Sequence, residues 1–189
     1  MKTQPNRWAI PIVALLLGGI APASAIRGTP PKLLELSVKA TFLPKFLAYI
    51  DWPLNSAPAA SEPIQLCVIG RDPFGTRLDE AVAGQRVDQH PVTLRRVETT
   101  QAATGCRLAF VGGSAAQPAA AALKALQGTP TLTVTDSRLG PARGIVHFDL
   151  KGGRVRFHID DASAASNDLS ISSRLLSLAL TVKPRERAK

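Results

Sequence analysis

Between residues 32 and 49 the apolar positions Leu34, Val38, Phe42 and Phe46, with Ile50 just beyond, recur every fourth residue. That spacing predicts an amphipathic helix ending at Trp52-Pro53. Pro44 interrupts it. A proline there removes the hydrogen bond to the carbonyl of Ala40 and costs about 3 kcal/mol unless the helix bends, so a bend or break is expected near residues 41–43. Continuous apolar runs at 64–69 and 108–111 read as strands buried on both faces, and residues 92–97 and 131–135 read as further strands. Between them lie a helix ending near residue 82, with Asp72 as its N-cap and Pro73 at its first position, and an alanine-rich helix at about 116–126.

The last third changes period. Val146, Phe148 and Leu150 alternate with His147 and Asp149, and after Gly152-Gly153 the residues Val155, Phe157 and Ile159 alternate with Arg154, Arg156 and His158. This is a hairpin with one wet face. A two-residue glycine turn pairs Phe148 with Phe157, Asp149 with Arg156 and His147 with His158. A final helix is expected from about residue 172 to 182. Strands alternating with helices make the fold class α/β: a single layered α/β sandwich, its mixed sheet of about six strands, with a C-terminal antiparallel hairpin and helices on the faces.

Composition adds a compartment and a caution about charge. Lys2 and Arg7 precede an apolar stretch at 8–20, and Ala23-Ser24-Ala25 follows, the layout of a cleaved signal peptide over residues 1–25. The stretch is too short and too broken by Pro11 and Gly18-Gly19 to span a bilayer. The mature domain is expected over 26–183, followed by a basic tail at 184–189. With 23 Lys and Arg against 14 Asp and Glu, the formal charge is +9, which invites an anionic partner. Lys2 and Arg7 leave with the leader, and Lys183, Arg185, Arg187 and Lys189 gather at the C-terminus. No aromatic residues interleave with the basic ones, so a nucleic-acid partner is not expected.

Export changes the reading of the two cysteines. Cys67 and Cys106 are an even pair in an oxidising compartment, each in or opening a buried strand, and the expectation is a bridge between neighbouring strands. Candidate chemistry is sparse. Residues 70–75 turn from strand to helix, and Arg71, Asp72 and Phe74 there are either ligand contacts or a plain turn. His147 and His158, with Asp149 or Asp160 nearby, are either an exposed polar stripe or a site for a divalent transition metal. Trp52 is a helix-end plug or an interface anchor. GxSxG, HExxH and CxxC are absent, and no cofactor is expected.

The run Val-Lys-Ala-Thr-Phe-Leu-Pro-Lys-Phe at 38–46, followed by Asp51-Trp52-Pro53, resembles the opening of the YfiR family of periplasmic proteins. Segments 66–75, 105–114, 131–136, 152–157 and 171–176 continue the resemblance in order, with Lys39, Phe42, Phe46, Trp52, Pro53, Gly75, Arg154, Ser172 and Ser173 as its signature positions. The resemblance implies a periplasmic repressor without catalytic activity. Such a repressor holds down a membrane-bound diguanylate cyclase by binding its periplasmic domain, and a peptidoglycan-associated OmpA-like lipoprotein can sequester it. It also implies an α/β sandwich, a homodimer, and a structural disulfide at Cys67 and Cys106. The second, redox-sensing cysteine pair of that family has no counterpart between Thr135 and Phe148. The alternative reading is a periplasmic small-ligand-binding protein that reports to a receptor or transporter, with residues 70–75 at the mouth of its site.

Overall fold

The apolar run around Cys67 forms β2 (Ile64–Gly70), the first strand of a parallel set. From it the chain passes through α2 (Thr76–Val82) and the short β3 (Arg86–Val87) to β4 (His90–Val97). It then crosses back to β5 (Cys106–Gly113), on the other side of β2. Helix α3 (Ala119–Ala125), β6 (Leu132–Asp136), the hairpin of β7 (Val146–Lys151) with β8 (Arg154–Asp160), the short helix α4 (Asp161–Ser166) and, after α5 (Ser173–Leu178), strand β10 (Thr181–Lys183) follow. The structure is a computed structural model describing residues 31–53 and 62–185. The expected signal peptide, and residues 186–189 of the expected tail, lie outside the described residues.

Among the described residues the sheet has eight strands in the order β10-β8-β7-β6-β5-β2-β4-β3, against the six expected. Strands β4, β2, β5, β6 and β7 are parallel, and β8 turns back antiparallel to β7. The additions are short edges: β3 and β10 (Thr181–Lys183). A separate ribbon pairs β1 (Ile50–Asp51) with β9 (Ser170–Ile171). One sheet face carries Leu66, Val68, Leu108, Phe110, Val134, Val146 and Phe148 under α1 (Pro31–Phe46) and α2. The other carries Cys67, Ile69, Ala109 and Val111 under α3 and a 3-10 turn at Thr100–Ala103.

The hairpin takes the expected register, with Phe148 opposite Phe157, Asp149 opposite Arg156 and His147 opposite His158. Gly152 and Gly153 both have positive φ (58° and 72°), as a two-residue turn matched to strand twist requires. The disulfide also forms where expected, between neighbouring strands, with its Cα atoms 5.9 Å apart. Its geometry depends on a bulge. Gln65 pairs with Cys106 and Leu66 with Leu108, so Arg107 is an extra residue on β5. That extra residue reverses the side-chain alternation and turns Cys106 to the face of Cys67.

Four local expectations are corrected. Helix α1 runs unbroken through Pro44 to Phe46 before tightening into a 3-10 turn at Leu47–Tyr49. Pro44 lies in its last turn, so the loss of one bond falls where the helix is already ending. Its buried face overlaps the predicted stripe at Phe46 but is rotated from it: Leu34 is 58% exposed while Glu35 and Lys39 are buried. Asp72 is not the N-cap of α2, because Gly75 at φ 55° holds the helix start back to Thr76. The C-terminal helix α5 is only Ser173–Leu178. Ala179 turns extended, the Leu180 N–H donates to the Phe157 carbonyl at 2.7 Å, and residues 181–183 join β8 as a parallel strand.

Candidate functional site

Lys39 has no exposed surface, and an ammonium group can be buried only with its charge and protons matched. It donates to Glu35 Oε1 at 2.5 Å, one helical turn back, and to Asp136 Oδ2 at 2.7 Å, at the C-terminal end of β6. Arg138, two residues beyond Asp136, donates through Nε to the same Glu35 oxygen at 2.7 Å, and its backbone N–H bonds Asp136 Oδ1 at 3.0 Å. Two cations and two carboxylates thus tie α1 to the end of β6, with the Lys39 ammonium 6.0 Å from the Phe148 ring centre. Burial pushes the Glu35 carboxyl up, but the hydrogen bonds from Lys39 and Arg138 outweigh it and hold it below its ordinary value. Glu35 and Lys39 stand at the favourable i,i+4 spacing, a signal present in the sequence. Asp136 and Arg138 carried no such signal.

The turn after β2 lies where the order of strands in the sheet reverses between β2 and β5, the place where open parallel sheets leave a crevice at their carboxyl ends. A cleft of about 450 Å³ opens there, lined by Gly70, Arg71, Glu98, Gly113, Ser114 and Pro118 among others. Arg71 is exposed at its rim, and its backbone N–H bonds the Gly113 carbonyl at 2.9 Å. The other two candidates in this turn are committed elsewhere. Asp72 Oδ1 accepts from the backbone N–H groups of Phe74 (2.7 Å) and Gly75 (3.2 Å), and its Oδ2 accepts from Arg96 at 2.7 Å. Phe74 is fully buried, edge-on to Phe110 with centroids 4.7 Å apart, and offers no surface to a ligand. Arg96 also bonds both Asp79 oxygens at 2.9 Å and the Gly75 carbonyl at 3.1 Å, clamping the turn to β4. Arg96→Leu is expected to lower stability in urea denaturation by about 1 kcal/mol, as for a half-exposed charge-assisted network. An unchanged midpoint would show that the clamp contributes nothing.

His147 and His158 face each other in register, ring centroids 6.4 Å apart, but His147 is buried rather than on an exposed stripe. The reason is topological: β7 lies inside the sheet between β6 and β8, and β10 extends it further. The two rings form the middle of a cross-strand row, Thr135, His147, His158, Thr181. Thr135 Oγ1 is 2.8 Å from His147 Nδ1, and Thr181 Oγ1 is 2.6 Å from His158 Nδ1. His158 Nε2 is 3.5 Å from Asp149 Oδ2. Among the described residues no three His, Cys, Asp or Glu side chains are grouped so as to hold a metal ion.

The remaining signature positions build the fold. Phe42 and Phe46 pack on Phe148 and Phe157, with centroid separations of 5.3 to 6.2 Å. Trp52 packs half-buried against the core, beside Pro53. Gly75 starts α2, and Arg154 is exposed next to the hairpin turn. Ser172 caps α5, accepting from Leu175 N, and donates its backbone N–H to the Tyr49 carbonyl at 3.0 Å; Ser173 opens the helix. Lys183 and Arg185 are held on the domain: Lys183 pairs with Asp160 at 3.1 Å, and Arg185 grips both Asp161 oxygens at 2.8 and 3.0 Å. No helix among the described residues is long and apolar enough to cross a membrane.

A model of the family described as YfiR/HmsC-like matches residues 36–180, which takes in most of α1, the disulfide, the whole parallel set and the hairpin. No curated protein matches the chain.

Proposed function

The chain belongs to the YfiR/HmsC-like family, and on that premise we propose that it is an exported periplasmic repressor of a membrane-bound diguanylate cyclase or similar sensor. It acts by binding the partner's periplasmic domain, not by catalysis. The family match over residues 36–180 carries this reading. The bridge and the buried charge network support it, because a rigid domain loses little conformational freedom on docking. Binding one state of the sensor shifts that sensor only by the difference in affinity between its two states. An OmpA-like lipoprotein that sequesters the repressor, and a homodimer as the resting form, belong to the same proposal.

Deleting the gene is expected to raise cyclic-di-GMP, and restoring it in trans to lower the level again. Cyclic-di-GMP that stays constant on deletion under several growth conditions would overturn the repressor reading. A second reading is favoured by the cleft at the strand reversal: a small-ligand-binding protein that reports to a receptor or transporter, with Arg71 at its mouth. Native mass spectrometry of protein purified from its own compartment separates the two. A small molecule lost on Arg71→Ala supports the second, and a clean apoprotein mass opposes it.

A further inference from the structure

We propose that the small cavity against β7 and β8 binds a small oxyanion, a carboxylate or phosphoryl group, held by Arg143 and the Nε2–H of His147. The cavity has a volume of about 160 Å³, and Arg143, Gly144, His147, His158, Asp160 and Lys183 are among the residues lining it. That space suits a group the size of acetate or phosphate and is too small for a nucleotide. The inference is independent of the repressor reading.

The tautomer of His147 follows from its neighbours. Thr135 Oγ1 accepts the Gly144 N–H at 2.9 Å and lies 2.8 Å from His147 Nδ1. It is buried, so its own hydroxyl proton needs an acceptor, and the acceptor it meets among the described residues is Nδ1. Nδ1 therefore accepts, and the ring proton sits on Nε2. Burial, together with the nearby charges of Arg143 and His158, pushes His147 below its ordinary value against the opposing pull of Asp136 and Asp149, and the ring is neutral at pH 7. His147 is 3% exposed, and its Nε2–H has no partner among the described residues. The ring lines the cavity, and an oxyanion there would supply an acceptor for the Nε2–H.

The charges lining the cavity point the same way. Asp160 is already matched: its Oδ1 accepts from Ser163 N at 2.9 Å and its Oδ2 from Lys183 at 3.1 Å. Arg143 is exposed and makes no ion pair among the described residues, so its charge is the surplus one. A divalent cation at the same place would face that guanidinium, and it would need the Nε2 lone pair that the proton occupies. Of the two sequence readings for the histidine pair, an exposed stripe or a divalent-metal site, the metal site is thus less suited to this place than an anion site.

The test is titration of the ¹⁵N-labelled mature protein with acetate and, separately, with inorganic phosphate, followed by backbone and imidazole NMR signals. Saturable shifts confined to Gly144, His147 and their neighbours are expected with at least one anion, and which anion binds tells a carboxylate site from a phosphoryl site. Arg143→Gln should keep the parent melting temperature in anion-free buffer and weaken binding by about tenfold or more, as expected for loss of a charge-assisted contact. The proposal is overturned if neither anion shifts the His147 ring, if Arg143→Gln binds as tightly as the parent, or if Zn²⁺ shifts both histidine rings at lower concentration than either anion.

Discussion

Lys39→Met is expected to destabilise the protein by about 3–5 kcal/mol, the cost of breaking a buried ion pair by removing one partner. The methionine fills nearly the same volume, so packing around Phe148 is kept and the loss is electrostatic. Asp136 and Glu35 would be left buried together, with only the half-exposed Arg138 to match them. Two controls follow. Adding Asp136→Asn to Lys39→Met should recover more than half of the loss, because a neutral amide removes the uncompensated charge. The penalty should also shrink in acid, where the carboxylates protonate. Urea denaturation of the three proteins at pH 7 and at low pH checks all of this. A Lys39→Met cost below about 1 kcal/mol would place the network among the surface pairs that contribute little.

The parent protein carries the matching pH dependence. The folded Glu35 carboxyl lies below its ordinary value of 4.5, so the unfolded chain binds the proton first as the pH falls. The stability from Glu35 is therefore fully present above about pH 4.5 and is lost as the pH drops through the lower folded value. Asp160 and Asp149 are shifted in the same direction, and the protein should be acid-labile with a plateau at neutral pH.

The bridge is the second large term. Cys67 and Cys106 close a loop with a sequence separation of 39, and removing that constraint with Cys67→Ala and Cys106→Ala together is expected to cost about 4 kcal/mol. Both sulfurs are buried beneath Ala103, Ala122 and Leu126, so the small cavity left by alanine adds to the loss. Reductant should lower the parent's unfolding midpoint toward that of the double variant and leave the variant unchanged. An equal midpoint for parent and variant would mean that the second face of the sheet holds without its staple. A bridge of this kind suits the proposed role: a binding domain with a fixed shape, working in an oxidising compartment.

What could be read from the chain and what could not separate by the range of the interactions. The hairpin register was legible because alternation and two adjacent glycines act within a few residues, and the turn admits only one pairing. The neighbouring of the cysteine strands was legible because each run is apolar on both faces. The full buried face of α1 was not, although its Phe42 and Phe46 end was. Periodicity counts Glu35 and Lys39 as solvent-facing, yet Asp136 lies 97 residues from Lys39 in sequence, and only the folded sheet brings it under the helix. The burial of the two charged residues depends on that partner. Similarly, Thr181 reaches His158 only because β10 pairs with β8, where local propensity favoured helix and the Phe157 carbonyl captured the chain instead.

By itself, then, the sequence determined the order of the main strands and helices, the hairpin pairing, the bridging of Cys67 to Cys106 and a set of positions shared with one family. Each follows from local periodicity, turn chemistry or residue identity. Tertiary structure alone decided which charges are buried and matched. It also decided that the paired histidines sit in a row between two threonines, buried at the Thr135 and His147 end and open at Thr181, and that Arg143 is left with an unspent charge beside them. Those outcomes depend on which strands become neighbours, and Coulombic and hydrogen-bonding partners are chosen by distance in space, which spacing along the chain does not encode.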